Sequence, residues 1–106
     1  QRLEVREANA LGKIRPVIIL SNDYACLSQE TILTAPIRTK PPPFQCPGLL
    51  KVESLKKHGD IHGFIRLDLI IFYSRNQIGD KVIHRFTDQD DVDLINGTLK
   101  SALGLA

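Results

Sequence analysis

Tryptophan and methionine are absent, and the aromatic residues are two tyrosines and four phenylalanines spread over 106 positions. So sparse a set offers no platform on which successive bases of a single strand could stack. Cysteine is nearly absent as well. Cys26 and Cys46 are too few for a disulfide scaffold, and without C-x-x-C spacing or a nearby His pair they make no zinc site. They are expected to be reduced, partly buried thiols in a cytoplasmic protein. No apolar run approaches the roughly 18 residues of a membrane span; the longest, residues 67–73, is interrupted by Asp68. Residues 1–7 are mostly charged and polar, so neither a signal peptide nor a membrane partner is expected. A surplus of one charge sign is missing too. The 14 Lys and Arg against 12 Asp and Glu leave a net charge of +2. That excludes a histone-like tail or an acidic solvating domain, and permits a nucleic-acid partner without requiring one. There is no Gly-rich phosphate loop, no G-x-S-x-G elbow and no Cys/His nucleophile arrangement. Redox, hydride-transfer and nucleoside-triphosphate chemistry therefore have no support, and no cofactor is expected.

What is present suits an ordinary globular chain: 42% apolar and 25% charged residues, enough for one core and one domain over residues 1–106. Residues 17–20 form a β-branched run that reads as a buried strand, closed by a turn at Ser21, Asn22 and Asp23. Residues 31–35 read as a second strand stopped by Pro36, residues 40–43 as an extended surface loop, and residues 49–53 as a third strand. A polar turn follows at residues 56–60. Residues 63–73 are the most β-prone stretch. On one strand Arg66 and Asp68 would share a face and Leu67 and Leu69 the other. A shorter strand is expected over residues 81–86. The one clear helix comes last. Thr87 is its candidate N-cap, with Asp90 three residues on, and Val92, Ile95, Leu99, Ala102 and Leu103 give one apolar face before Gly104 stops it. Short strands followed by a terminal helix predict an α+β or barrel-like domain.

Three groupings carry potential chemistry. Arg66-x-Asp68 places two charges in an otherwise apolar stretch, where charge is costly unless paired or facing a cleft. The pair reads either as a structural salt bridge or as a fixed ionic pair that takes a proton and steadies a phosphate. Lys13-x-Arg15-Pro16 puts cations where a loop meets a strand, and Arg38-Thr39-Lys40 offers two cations and a hydroxyl. Each suits phosphate contacts and each is equally an ordinary basic loop end. His58 and His62 have the spacing of a helical metal pair, but Gly59 and Gly63 argue against a helix there, so no metal is expected. His84 reads as half-buried structure within a strand.

Taken in order, the pieces resemble one family. The stretch from Gly12 through Arg15-Pro16 and the apolar run to Ser21-Asn22-Asp23 resembles the arginine-proline strand signature of the MazF/PemK/Kid toxins of type II toxin–antitoxin systems. Residues 31–39 resemble the next strand of that family, ending in Ala35-Pro36 and Thr39. Gly63-Phe64-Ile65-Arg66-Leu67-Asp68 resembles the G-apolar-apolar-R-x-D strand of the Kid/PemK branch, and the terminal helix also fits. The resemblance implies a small SH3-like β-barrel of short, mostly antiparallel strands with a C-terminal helix, assembled as a homodimer. It implies a sequence-specific endoribonuclease that cuts single-stranded mRNA without a metal. The 2′-hydroxyl attacks the adjacent phosphate and leaves a 2′,3′-cyclic phosphate. The implied partners are single-stranded RNA and a cognate acidic antitoxin, with DNA reached only through the antitoxin. By position, Asp68 would be the general base and Arg66 the general acid or the cation facing the phosphorane. The high pKa of an arginine favours the second role. Arg15 would hold or protonate the phosphate and Thr39 would contact it, with Arg38, Lys13 and Lys40 as further substrate-binding residues. Arg38 stands where the family usually has a hydroxyl residue. Leu69, Ile70, Ile71 and Phe72 stand where it usually has glutamine, an apolar residue, a basic residue and a hydroxyl, and no R-G-D/E opening strand is recognisable. Two other functions fit the same fold: a gyrase poison, and a catalytically inactive homologue that acts as a binding module.

Overall fold

The computed structural model describes residues 3–21 and 30–105; Asn22, Asp23 and Cys26 lie outside the described residues. Strands β1 (Leu3–Ala10) and β2 (Lys13–Ile19) form an antiparallel hairpin, in register from Glu4↔Ile19 to Ala10↔Lys13. Its two-residue turn, Leu11-Gly12, has φ of 54° and 78°, positive at both positions as a type I′ turn requires. β1 occupies the place where no opening strand was recognisable. Its apolar alternation is only Leu3 and Val5, and the charges between them hide it. One of those charges, Glu4, is paired with Arg85 on the neighbouring strand.

β3 (Thr31–Arg38) pairs with β2, and on its other flank first with β6 (Ile71–Ser74) and then with β5 (Phe64–Arg66). β4 (Leu49–Lys51) extends β5, and β7 (His84–Phe86) extends β1, giving the order β4-β5-β3-β2-β1-β7 with β6 beside β3. Pro36 does not end β3, as the sequence suggested. It sits opposite Val17, where the far flank has left β6 at Thr34 and not yet met β5 at Ile37, so no partner there asks for its missing N–H. The third strand is also shorter than expected: after Lys51 the chain turns into a 3-10 segment, Val52–Ser54. Residues 63–73 are not one strand. The Leu69 amide donates to the Arg66 carbonyl at 3.1 Å and breaks the run into β5 and β6.

Both faces of the sheet are covered, which is why residues 17–20 are apolar without alternation. Ile18, Leu20, Ala35, Ile37, Ile65 and Leu67 face the main core with Leu3, Val5 and Phe86. Val17 and Ile19 face a smaller cluster with Ala8 and Ile32. Helix α1 (Gln89–Ala102) closes the main core through Ile95, which is fully buried, with Val92 and Leu99 alongside. Its N-cap is Asp88 rather than Thr87: the Asp88 carboxylate accepts the amides of Asp90 and Asp91 at 2.9 and 3.3 Å. Gly104 (φ 75°) ends it, with the Leu105 amide returning to the Lys100 carbonyl at 2.8 Å in a Schellman turn. The expected architecture is the one formed, a curled antiparallel sheet with a terminal helix. Among the described residues no helix is long and apolar enough to cross a membrane.

Candidate active site

Strand register alone gathers the arginines. Val17 lies opposite Pro36, so two residues on, Arg15 of β2 flanks Arg38 of β3. Ile37 lies opposite Ile65 with both in the core, so Arg38 and Arg66 project from the other face. Three adjacent strands thus deliver Arg15, Arg38 and Arg66 to one side of the sheet. The segment leaving β3 adds Thr39, Lys40, Pro41 and Pro42, and His62 arrives just ahead of β5. Together with Pro16 and Ile37 these residues line a cavity of about 350 Å³. Lys13 stands beside it, in an adjoining recess of about 290 Å³ that shares Arg15 and Arg38.

Asp68 is not among the lining residues; it holds Arg66. The turn after β5 swings its carboxylate back onto the guanidinium, with Arg66 Nε to Oδ1 at 2.9 Å and Nη2 to Oδ2 at 2.7 Å. This is a fork-on-fork pair, and both oxygens are committed. The Arg66 hydrogen bonds hold the Asp68 carboxyl below the usual aspartate range despite partial burial, and the Cys46 thiol adds a further hydrogen bond. The same contact with Asp68 raises Arg66. Asp68 is therefore a weaker proton acceptor than a free aspartate.

Two glycines allow the segments to approach this closely. A Cβ on Gly48 would lie 2.5 Å from the Asp68 amide nitrogen, and the Gly48 carbonyl accepts the Leu67 amide at 2.8 Å. Gly63 (φ 104°) lets the chain ahead of β5 pass the corner of β3, where a Cβ would meet the Arg38 carbonyl oxygen at 2.2 Å. At Arg38 itself the side-chain Nε is buried and has no hydrogen-bond partner, a donor in need of an acceptor.

His62 was weighed in the sequence only as half of a metal pair. Its ring stands 6.0 Å edge-on from that of His58, whose Nδ1 faces the Ile61 carbonyl at 3.0 Å. The signal that places it at the site is position, one residue ahead of the glycine that begins the R-x-D stretch. His84 is structural, packed edge-on against Phe86 at 4.7 Å with Nε2 on the Lys57 carbonyl. A separate recess of about 230 Å³ is lined in part by Glu4 and Arg6, which are paired with each other, Glu4 also with Arg85.

Among solved structures the fold has close relatives. An endoribonuclease in complex with its cognate antitoxin, from Mycobacterial species, is 19% identical with a TM-score of 0.78, covering 97% of this chain and 93% of its own. The Mycobacterium tuberculosis toxin MazF-mt6 is 17% identical with a TM-score of 0.76, over 97% and 98% of the two chains. A chain of the MazE–MazF complex of Deinococcus radiodurans is 17% identical with a TM-score of 0.75, over 97% and 93%. Comparison with curated proteins gives no match. The family model described as PemK-like, MazF-like toxin of type II toxin–antitoxin system matches residues 2–103. The chain belongs to that family of toxins.

Proposed function

We propose that this toxin is an endoribonuclease that cuts single-stranded mRNA at short sequences, using the RNA's own 2′-hydroxyl as nucleophile and requiring no metal. The observation that carries this reading is the meeting of Arg15, Arg38, Arg66, Thr39 and Lys40 around one cavity. In-line attack builds negative charge on the phosphate oxygens, and cations already fixed in place stabilise that charge without reorganising. Arg15 and Arg38 flank the phosphate, Arg38 with an unsatisfied donor, and Thr39 and Lys40 hold it from the β3 exit. Arg66 serves as a fixed cation, because a guanidinium does not release its proton in the working pH range. The resemblance implies a general base at Asp68. The bidentate pair favours a different role, that of keeping Arg66 aimed at the cavity. Endoribonuclease is also the name borne by structural relatives, one of them solved with its cognate antitoxin. A cationic groove suits the acidic segment of an antitoxin as well as RNA.

Purified protein incubated with a long single-stranded RNA in EDTA, with the new ends mapped, tests the reading. Cuts at a short motif are expected, with Arg15→Ala slowing them by about 10²-fold or more, the scale of losing one fixed charge-stabilising donor. Intact RNA together with inhibited gyrase supercoiling would establish the gyrase poison instead. No effect in either assay would establish a binding module.

A further inference from the structure

Metal-free cleavage by a 2′-hydroxyl needs a group that takes the hydroxyl's proton. Around the cavity the side chains are Arg15, Arg38, Lys40 and Arg66, which arrive already protonated, and Thr39, Pro16, Pro41, Pro42 and Ile37, which do not titrate near neutrality. Asp68 has both oxygens on Arg66. One lining residue is left, His62, and imidazole is the side chain that exchanges protons between about pH 5 and 8. We propose that His62 is the proton acceptor of the cleavage reaction, an inference that rests on the ribonuclease reading above.

The local geometry fits this role. The His62 side chain is 69% exposed, so an RNA strand in the groove can reach it, and its Nδ1 faces Glu53 Oε1 at 3.6 Å. The same Glu53 oxygen accepts the Gly63 amide at 3.4 Å, which keeps the carboxylate beside the ring. Backbone amides, its own and that of Gly63, hold its carboxyl below the usual range, so it stays ionised beside the ring. With Nδ1 turned to Glu53, Nε2 is the nitrogen left for the substrate. The remaining charged or titratable neighbours are Arg15, Arg38, Lys40 and Arg66 in the cavity, His58 6.0 Å away ring to ring, and Glu7 and Asp60 in the recess on the far side of Arg15. In the reaction the 2′-oxygen forms its bond to phosphorus while its proton passes to Nε2. The bond from phosphorus to the 5′-oxygen breaks, and that oxygen takes a proton from water. The imidazolium then returns its proton to solvent, leaving a 2′,3′-cyclic phosphate and a 5′-hydroxyl.

The test measures single-turnover cleavage of a mapped RNA by wild type, His62→Ala and Glu53→Gln across pH, with RNA binding followed by fluorescence anisotropy. His62→Ala is expected to cleave about 10²–10⁴-fold more slowly while binding RNA within about threefold of wild type, since phosphate contacts rather than the imidazole supply most of the affinity. It is also expected to lose the acid limb of the pH–rate profile and to recover activity when free imidazole is added. Rescue by a diffusible base is a response that a merely structural histidine would not give. Glu53→Gln is expected to fall between the two. Wild-type rate and profile in His62→Ala, or a loss that imidazole does not restore, would overturn the assignment and leave the ribonuclease reading standing. RNA left intact by wild type would overturn that reading itself.

Discussion

At Gly48 the chain has no room for a side chain. The Asp68 amide, the Asp68 Cα and the Ala102 methyl all crowd the place a Cβ would take. Gly48→Ala is expected to cost about 1–3 kcal/mol, as overpacking a fixed site does, and to displace the turn that returns Asp68 to Arg66. Urea unfolding measures the first effect, and RNA cleavage measures the second as a loss larger than the folding deficit explains. Nothing in the sequence around Gly48 signals this, because the crowding is tertiary. The Arg66–Asp68 pairing was legible, since two charges inside an apolar stretch demand an explanation. Its geometry was not. Leu67-Asp68-Leu69 contains no glycine, proline or asparagine to mark the turn, so the two side chains were expected along one strand. They meet instead across a reversal, which brings both oxygens onto the guanidinium.

Among the elements, α1 is held to the sheet by more than its apolar face. Asp91 in its first turn is 2% exposed and accepts the Lys56 and Lys57 amides at 2.8 and 2.9 Å, closing the loop that leads toward His62. Lys56 and Asp90 add an exposed ion pair at the same junction, a contact of small weight. Asp91→Ala leaves two amides without their charged acceptor. It is expected to lower stability by about 1.5–3 kcal/mol per lost bond at most, read as a fall in the chemical-denaturation midpoint, with Asp90→Ala nearly silent. The helix itself was plain in the sequence, from its 3.6-residue period and its Gly104 stop. Its N-cap was displaced by one residue because Thr87 and Asp88 are both good caps and only the carboxylate reaches the amides. Strand ends were harder to read for a shared reason. β3 continues through Pro36, and β1 exists at all, because of what lies beside them in the sheet rather than because of their own residues.

Over the whole molecule, a net charge of +2 says little, because some charges are paired off locally while Arg15, Arg38 and Lys40 meet at one cavity. Glu4 shows the pairing. Burial works against its ionisation, yet hydrogen bonds from Arg85 and Arg6 outweigh it and hold the carboxyl below the usual range. Glu4 and Asp68 both have folded values below their unfolded ones. Their contribution to stability is therefore complete above the unfolded values of about 3.9 to 4.3, and it is lost as pH falls through the folded values. Melting curves at pH 7, 4 and 3 are expected to show a gap between wild type and Glu4→Gln that is widest at pH 7 and narrows on acidification. A constant gap would mean that the Arg6 and Arg85 contacts contribute no charge-dependent stability. The topology was foreseeable as a class, and the gathering of Arg15, Arg38 and Arg66 follows from strand order and register, which no local stretch of sequence encodes. That gathered charge is the basis for reading the groove as a place where RNA cuts itself on its own 2′-hydroxyl. The most direct test is cleavage of an oligonucleotide with a single 2′-deoxy substitution at the nucleotide 5′ of the mapped scissile phosphate. The substituted strand should bind as the all-RNA strand does and remain intact. Cleavage of that strand at an undiminished rate would contradict the mechanism.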